Sequence, residues 1–202
     1  MVYVTAADTS PAGQTLNVTT AGYFYFDGTK WIGVGTGGNG NSGGGPVDIE
    51  VGQTAYYIKK VPCTPGKYMS DYFSDVPVVE GLRMDAYIAE GVRAATRYDP
   101  RFVNITANPI KVNYTSIASV DNATNRINKT IQPGIAGAES VDGGGWVYAG
   151  TTNSETETID VVIGNKWYRI LYFAYIDSSD VTAGNNNNTS LRTIRVSITR
   201  LN

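Results

Sequence analysis

The run Glu157-Thr158-Ile159-Asp160-Val161-Val162-Ile163, Gly164-Asn165, Lys166-Trp167-Tyr168-Arg169-Ile170-Leu171-Tyr172-Phe173-Ala174-Tyr175 reads as two strands joined by a tight turn. β-Branched and aromatic residues suit a pleated, half-buried surface, and Gly-Asn between two such runs is a two-residue hairpin signal. Ile170 to Tyr175 is apolar on both alternating faces, the pattern of a central strand covered on both sides. Leu191 to Leu201 closes the chain as a further strand, with Ile194, Val196 and Ile198 on one face and Thr193, Arg195 and Ser197 on the other. Arg192, Arg195 and Arg200 read there as the charged outer face of an edge strand.

Outward from this region the same signals recur. Gly145 to Ala149, Leu82 to Ala89, Phe102 to Thr106, Ile110 to Ile117 and Arg126 to Ile131 read as strands. Gly91, Asp99-Pro100, Asn108-Pro109 and Pro133-Gly134 punctuate them. Val47 to Val51 alternates strictly and begins a strand, and Thr54 to Val61 continues as another. Thr64 to Val76 reads as a long exposed loop with room for one turn near Ser70-Asp71. Eight or more short strands without a helical period predict an all-β fold, an antiparallel β-sandwich of jelly-roll-like form.

Composition narrows the chemistry. The 202 residues carry 16 Lys+Arg against 18 Asp+Glu, so no strong net field recruits nucleic acid or an anionic membrane. Histidine is absent, which removes Ser-His and Cys-His pairs and every His-containing zinc site. The single cysteine, Cys63, has no partner for an internal disulfide and reads as a small buried apolar side chain. No stretch reaches the eighteen or so apolar residues of a spanning helix, so no membrane insertion is expected. Met1-Val2-Tyr3-Val4-Thr5 reads as a short strand and not as the basic start of a secretory signal.

The chain divides at Gly35-Thr36-Gly37-Gly38-Asn39-Gly40-Asn41-Ser42-Gly43-Gly44-Gly45, which has the composition of a flexible connector. The expected organisation is a β-hairpin stalk or attachment module over residues 1–34, a Gly-rich linker over 35–45 and a sandwich knob over 46–202. In the first module Asp27-Gly28 separates Gly22-Tyr23-Phe24-Tyr25-Phe26 from Thr29-Lys30-Trp31-Ile32-Gly33-Val34, the sign of a two-residue type I′ turn. A module below about 40 residues lacks an independent core, so it is expected to associate through Tyr23, Tyr25 and Trp31.

Val2-Tyr3-Val4-Thr5, the Pro11-Ala12-Gly13 turn and above all Gly22 to Trp31 resemble a short Tyr-rich, Asp-Gly-x-x-Trp hairpin. That hairpin occurs in tail-fibre and surface-fibre proteins of Bacteroidota, their phages and contractile injection systems. The resemblance covers about the first 35 residues. It implies a repetitive extracellular fibre, a place on a cell, virion or injection-particle surface, and a trimeric assembly. It implies no chemical activity.

Candidate functional residues follow from aromatic chemistry, because a tyrosine ring stacks on a sugar face while its hydroxyl hydrogen-bonds. Tyr68, Tyr72, Phe73 and Tyr98 lie in segments that read as irregular, and Trp146 stands beside Gly143-Gly144-Gly145. These five are the expected ligand contacts. The carboxylate pairs Asp71 with Asp75, Asp85 with Glu90, and Glu155 with Glu157 are of the type a glycosidase uses, but no spacing requires the separation such pairs need. Asp177-Ser178-Ser179-Asp180 lacks the glycine and closing glutamate of a calcium loop. The chain is therefore expected to be non-enzymatic, without metal or cofactor. Three roles remain open: a fibre-tip or adhesin domain binding a surface glycan or protein receptor, an architectural subunit of a phage, tail or pilus-like assembly, and a monomeric carbohydrate-binding module.

Overall fold

Alternation of β-branched and polar side chains over most of the chain is realised as fifteen strands among the described residues. The structure, a computed structural model, describes residues 2–10, 12–15, 18, 22–26, 29, 31–34, 47–92, 95–119, 122–142, 147–150, 154–176 and 191–202. The chain forms two compact units, Met1–Gly40 and Asn41–Asn202. The Gly-rich stretch 35–45 lies outside the described residues. No helix among the described residues is long and apolar enough to cross a membrane.

The first unit holds β1 (Val2–Val4), β2 (Gly22–Phe26) and β3 (Trp31–Val34), in the antiparallel order β1-β2-β3. Phe26 pairs with Trp31 in register, on either side of the expected Asp27-Gly28 turn. Asp27, Gly28 and Lys30 lie outside the described residues. The rings of Phe26 and Trp31 meet across the strands at 5.4 Å, the cross-strand contact that holds this end of the pair. Phe24 and Val18 are buried, whereas Tyr3 and Val2 face solvent.

The second unit begins with β4 (Thr54–Val61), β5 (Lys67–Tyr68), β6 (Val78–Val79), β7 (Leu82–Val92) and β8 (Ala95–Asn104). It continues with β9 (Ile110–Ala118), β10 (Ala123–Ile131), β11 (Glu139–Ser140), β12 (Val147–Gly150), β13 (Glu155–Ile163), β14 (Lys166–Tyr175) and β15 (Arg192–Arg200). Two antiparallel sheets result. Sheet I runs β10-β9-β13-β14-β15-β4; sheet II runs β11-β8-β7-β5, with β12 also on β8 and β6 also on β7. Leu82, Met84, Ile88 and Phe102 of sheet II share one buried cluster with Ile159, Ile170, Val196 and Ile198 of sheet I. The Phe102 ring meets Tyr114 of β9 edge to face at 5.9 Å, so the two sheets pack across a single core in a sandwich-like arrangement.

The β13–β14 hairpin forms in unbroken register from Glu155↔Ala174 to Ile163↔Lys166. Gly164 takes φ +63° while Asn165 keeps a negative φ, the pattern of a type II′ turn with glycine first. A second tight hairpin joins β6 to β7 through Glu80-Gly81, both at positive φ as in a type I′ turn. Glu80 is held there because its Oε1 accepts from Lys166 Nζ at 2.7 Å and from the Tyr168 hydroxyl at 3.0 Å.

Several expectations are corrected. Gly91 and Asp99-Pro100 do not break strands but lie inside β7 and β8. Pro100 is tolerated because the N–H and C=O of one strand residue point to the same side, and its carbonyl faces the thin β11 edge, where it accepts from Val141 N–H. Val47 to Val51 joins no ladder; Val47 N–H bonds Val78 O and Ile49 is buried, so this segment runs between the two sheets. Thr64 to Val76 makes the expected turn near Ser70-Asp71 and is exposed over 64–67, but it is not loop throughout. It contains β5 and a 3-10 turn at Met69–Asp71, with Met69 and Val76 in the core. β15 is not an edge strand, since β14 and β4 flank it, and Arg192 is 1% exposed on the same face as Ile194. β14 is central, but only its face bearing Tyr168, Ile170, Tyr172 and Ala174 is sealed; Trp167 is exposed on the other.

Candidate functional site

Sheet II turns Leu82, Met84, Ala86 and Ile88 inward, so Arg83, Asp85 and Tyr87 point outward from β7. β5 places Tyr68 opposite Tyr87, and the two half-buried rings meet at 5.1 Å. On the other flank β8 places Asp99 opposite Tyr87 and Arg101 opposite Asp85. The Arg101 guanidinium carbon lies 5.8 Å from the Tyr87 ring centroid, within range of a cation–π attraction of roughly 0.5–1 kcal/mol. Arg101 Nη2 also donates to Asp99 Oδ2. Aromatic rings and a guanidinium thus form one row across three strands.

Buried carboxylates anchor the row. Asp85 Oδ1 accepts from Ser70 N–H at 3.1 Å and Ala86 N–H at 2.9 Å, and its Oδ2 accepts from Arg83 Nε at 2.8 Å. The Ser70 bond ties the Met69–Asp71 turn to β7, and Asp71 Oδ2 closes that turn by accepting Tyr68 N–H at 2.8 Å. Tyr72 and Phe73 follow directly. Tyr72 is 38% exposed, and Phe73 packs half-buried against the core. Lys59 Nζ sits 5.4 Å from both the Tyr57 and Phe73 ring centroids and 2.7 Å from Asp75 Oδ2, fastening the far end of the segment.

Burial raises the Tyr68 hydroxyl above its ordinary value, Arg101 opposes the shift, and Asp85 and Asp99 add to it. The hydroxyl is therefore a neutral donor at every physiological pH. Burial and the Asp142 carboxylate push Asp99 up to about 6, against the opposing pull of Arg101 and Ser140.

Tyr68 thus stands beside Tyr87, whereas the Tyr72 and Phe73 rings meet each other at 6.4 Å and Phe73 packs into the core beside Lys59. Tyr98 is not with them: it lies in β8 at 2% exposure, its hydroxyl 3.9 Å from Cys63 Sγ, which removes it as a surface contact. The reading of Asp99-Pro100 as a break had moved Tyr98 onto a loop. Trp146, Gly143-Gly144-Gly145, residues 177–180 and the side chains of Tyr23 and Tyr25 lie outside the described residues. Trp31 is half-buried beside Phe26. Cys63 is buried, as its apolar reading expects.

Of the carboxylate pairs, the Glu90 side chain lies outside the described residues and the others are engaged in the fold. Asp71 caps Tyr68, Asp75 binds Lys59 and Asp85 accepts three donors. Glu155 and Glu157 are buried on the inner face of β13, where Ser116 Oγ donates to Glu157. Among the described residues no group of three or more metal-ligating side chains comes together. Tyr87 and Arg101 were not among the expected contacts. The alternation of Leu82 to Ile88 carried the signal for Tyr87, while nothing local marked Arg101 as its neighbour.

Comparison with protein families, curated proteins and solved structures returns no match, so the chemistry of this face is read from its own residues.

Proposed function

We propose that the chain is a non-enzymatic recognition domain of a fibre tip or adhesin, which oligomerises and binds a cell-surface glycan or protein receptor through the outer face of sheet II. The carrying observation is the row Tyr68–Tyr87–Arg101, half-buried aromatic rings backed by charged groups whose positions are set by Asp85 and Asp99. Such a surface suits a pyranose: the ring's C–H face stacks on tyrosine, while hydroxyls meet the guanidinium and phenolic groups. Tyr72, 38% exposed and beside the Phe73 ring, offers a further aromatic contact. Assembly as a trimer raises avidity by about 10²–10⁴-fold over one weak site. The jelly-roll-like form belongs to the same reading, supported by the pairing of the first and last strands of the knob, β4 and β15.

The full chain applied to a glycan array tests this. Retention of a defined set of glycans, weakened about tenfold or more by Tyr87→Ala, is the expected outcome. Retention of none, or binding indifferent to Tyr87, counts against it. A purely architectural subunit is the second reading, and one observation favours it. Tyr56 at 58% and Ile58 at 49% exposure lie on the outward face of the edge strand β4, a surface suited to subunit contact. Under that reading Tyr56→Ser with Ile58→Ser lowers the solution mass.

A further inference from the structure

We propose that Asp99, Ser140 and Asp142 form a proton-operated clasp that holds residues 139–142 against β8 in acid and loosens them towards neutral pH. The geometry poses a counting problem. Ser140 Oγ lies 2.8 Å from Asp99 Oδ1 and 2.9 Å from Asp142 Oδ1, yet a serine hydroxyl has one hydrogen to donate. With both carboxylates ionised, one of the two oxygen contacts has no proton in it and the charges repel; a proton on one carboxyl completes both.

The backbone makes this matter. β11 pairs with β8 through two residues only, Glu139↔Phe102 and Ser140↔Arg101. Among the described residues Val141 N–H to Pro100 O at 3.1 Å continues the contact. Val141 is buried in the core and Glu139 bonds Tyr114 and Lys129 of sheet I, so the Ser140–Asp99 contact is a side-chain tie from this segment to β8.

Both carboxylates are buried, Asp99 at 2% and Asp142 at 1% exposure, and burial together with the Asp142 charge favours a proton on Asp99. From its own strand it faces Arg101, which pairs with it, and Arg97 two residues earlier. β7 presents Asp85 and Tyr87, β5 presents Tyr68, and the 139–142 segment presents Ser140 and Asp142. Tyr172 lies across the core, close enough for the Asp99 charge to act on it. Arg101 and Ser140 do not offset burial and Asp142, and Asp99 titrates near 6, where an exposed aspartate does not.

An amide NMR titration of the full chain from pH 4.5 to 8, with hydrogen exchange at its two ends, tests the clasp. The Arg101, Ser140 and Val141 amides are expected to shift together with a midpoint of about 6, and Val141 to lose protection, corrected for intrinsic rate, as the pH rises. Asp99→Asn, which keeps an N–H donor there at all pH, is expected to abolish the transition and keep Val141 protected. Ser140→Ala removes a donor to the ionised carboxylate and moves the midpoint upward; Asp142→Asn removes the neighbouring charge and moves it downward. These two keep the test decisive should Asp99→Asn not fold. The clasp is overturned by the absence of a common transition between pH 5 and 7, by its survival in Asp99→Asn, by unchanged Val141 protection, or by a midpoint that neither of the other variants moves.

Discussion

Asp85 is buried and tied to three donors on two elements, so its removal strands two backbone N–H groups and the Arg83 guanidinium together. Asp85→Ala is expected to lower stability by about 3 kcal/mol, read by urea unfolding at pH 7. Asp99 acts in the opposite sense. Its folded value of about 6 stands above its ordinary 3.8, so its contribution is fully present below about pH 4 and is lost as the pH rises through about 6. The rise from 3.8 to about 6 corresponds to about 3 kcal/mol. Asp99→Asn should therefore gain on the natural chain by about that much more at pH 8 than at pH 4. An equal difference at both pH values would remove the effect. At this scale the sequence was partly legible. Cys63 could be read from its being the single cysteine, and the inward Ile194, Val196 and Ile198 from alternation. Arg192 could not, because a charged residue at a strand start looks solvated until a sheet closes over it.

Hairpins with glycine at a turn position were readable where the flanking β pattern was strong, as at Gly164-Asn165. Glu80-Gly81 escaped notice, because glutamate is a poor marker for positive φ and its placement depends on Lys166 and Tyr168, far away in sequence. A Cβ at Gly81 would stand 2.5 Å from Thr106 Cγ2 in a backbone conformation that side chains disfavour. Gly81→Ala is expected to cost about 1–3 kcal/mol, visible as a lower urea midpoint with an unchanged slope. Pro100 misled the reading of β8, since a proline's effect depends on which side of a strand its missing N–H falls, and that is set by the neighbour. The alternation in Val47 to Val51 was real and Ile49 is buried, but a strand also needs a ladder partner, which no local pattern records.

For the whole molecule, the all-β class and paired antiparallel sheets were legible because alternation and turn residues are local. The meeting of Tyr68 with Tyr87 and Arg101 was not, since it depends on strand order and register. Light scattering on the full chain is expected to give a mass near three times 21.7 kDa, and a monomer would remove the trimeric fibre while leaving a lone carbohydrate-binding module. The central claim, recognition by the outer face of sheet II, is tested most directly by titrating the full chain with an array-selected glycan and mapping amide shifts. The account predicts shifts confined to Lys67 to Phe73, Asp85 to Ile88 and Asp99 to Arg101. Shifts centred on Tyr56, Ile58 and Trp167 of sheet I, or none at saturating glycan, would contradict it.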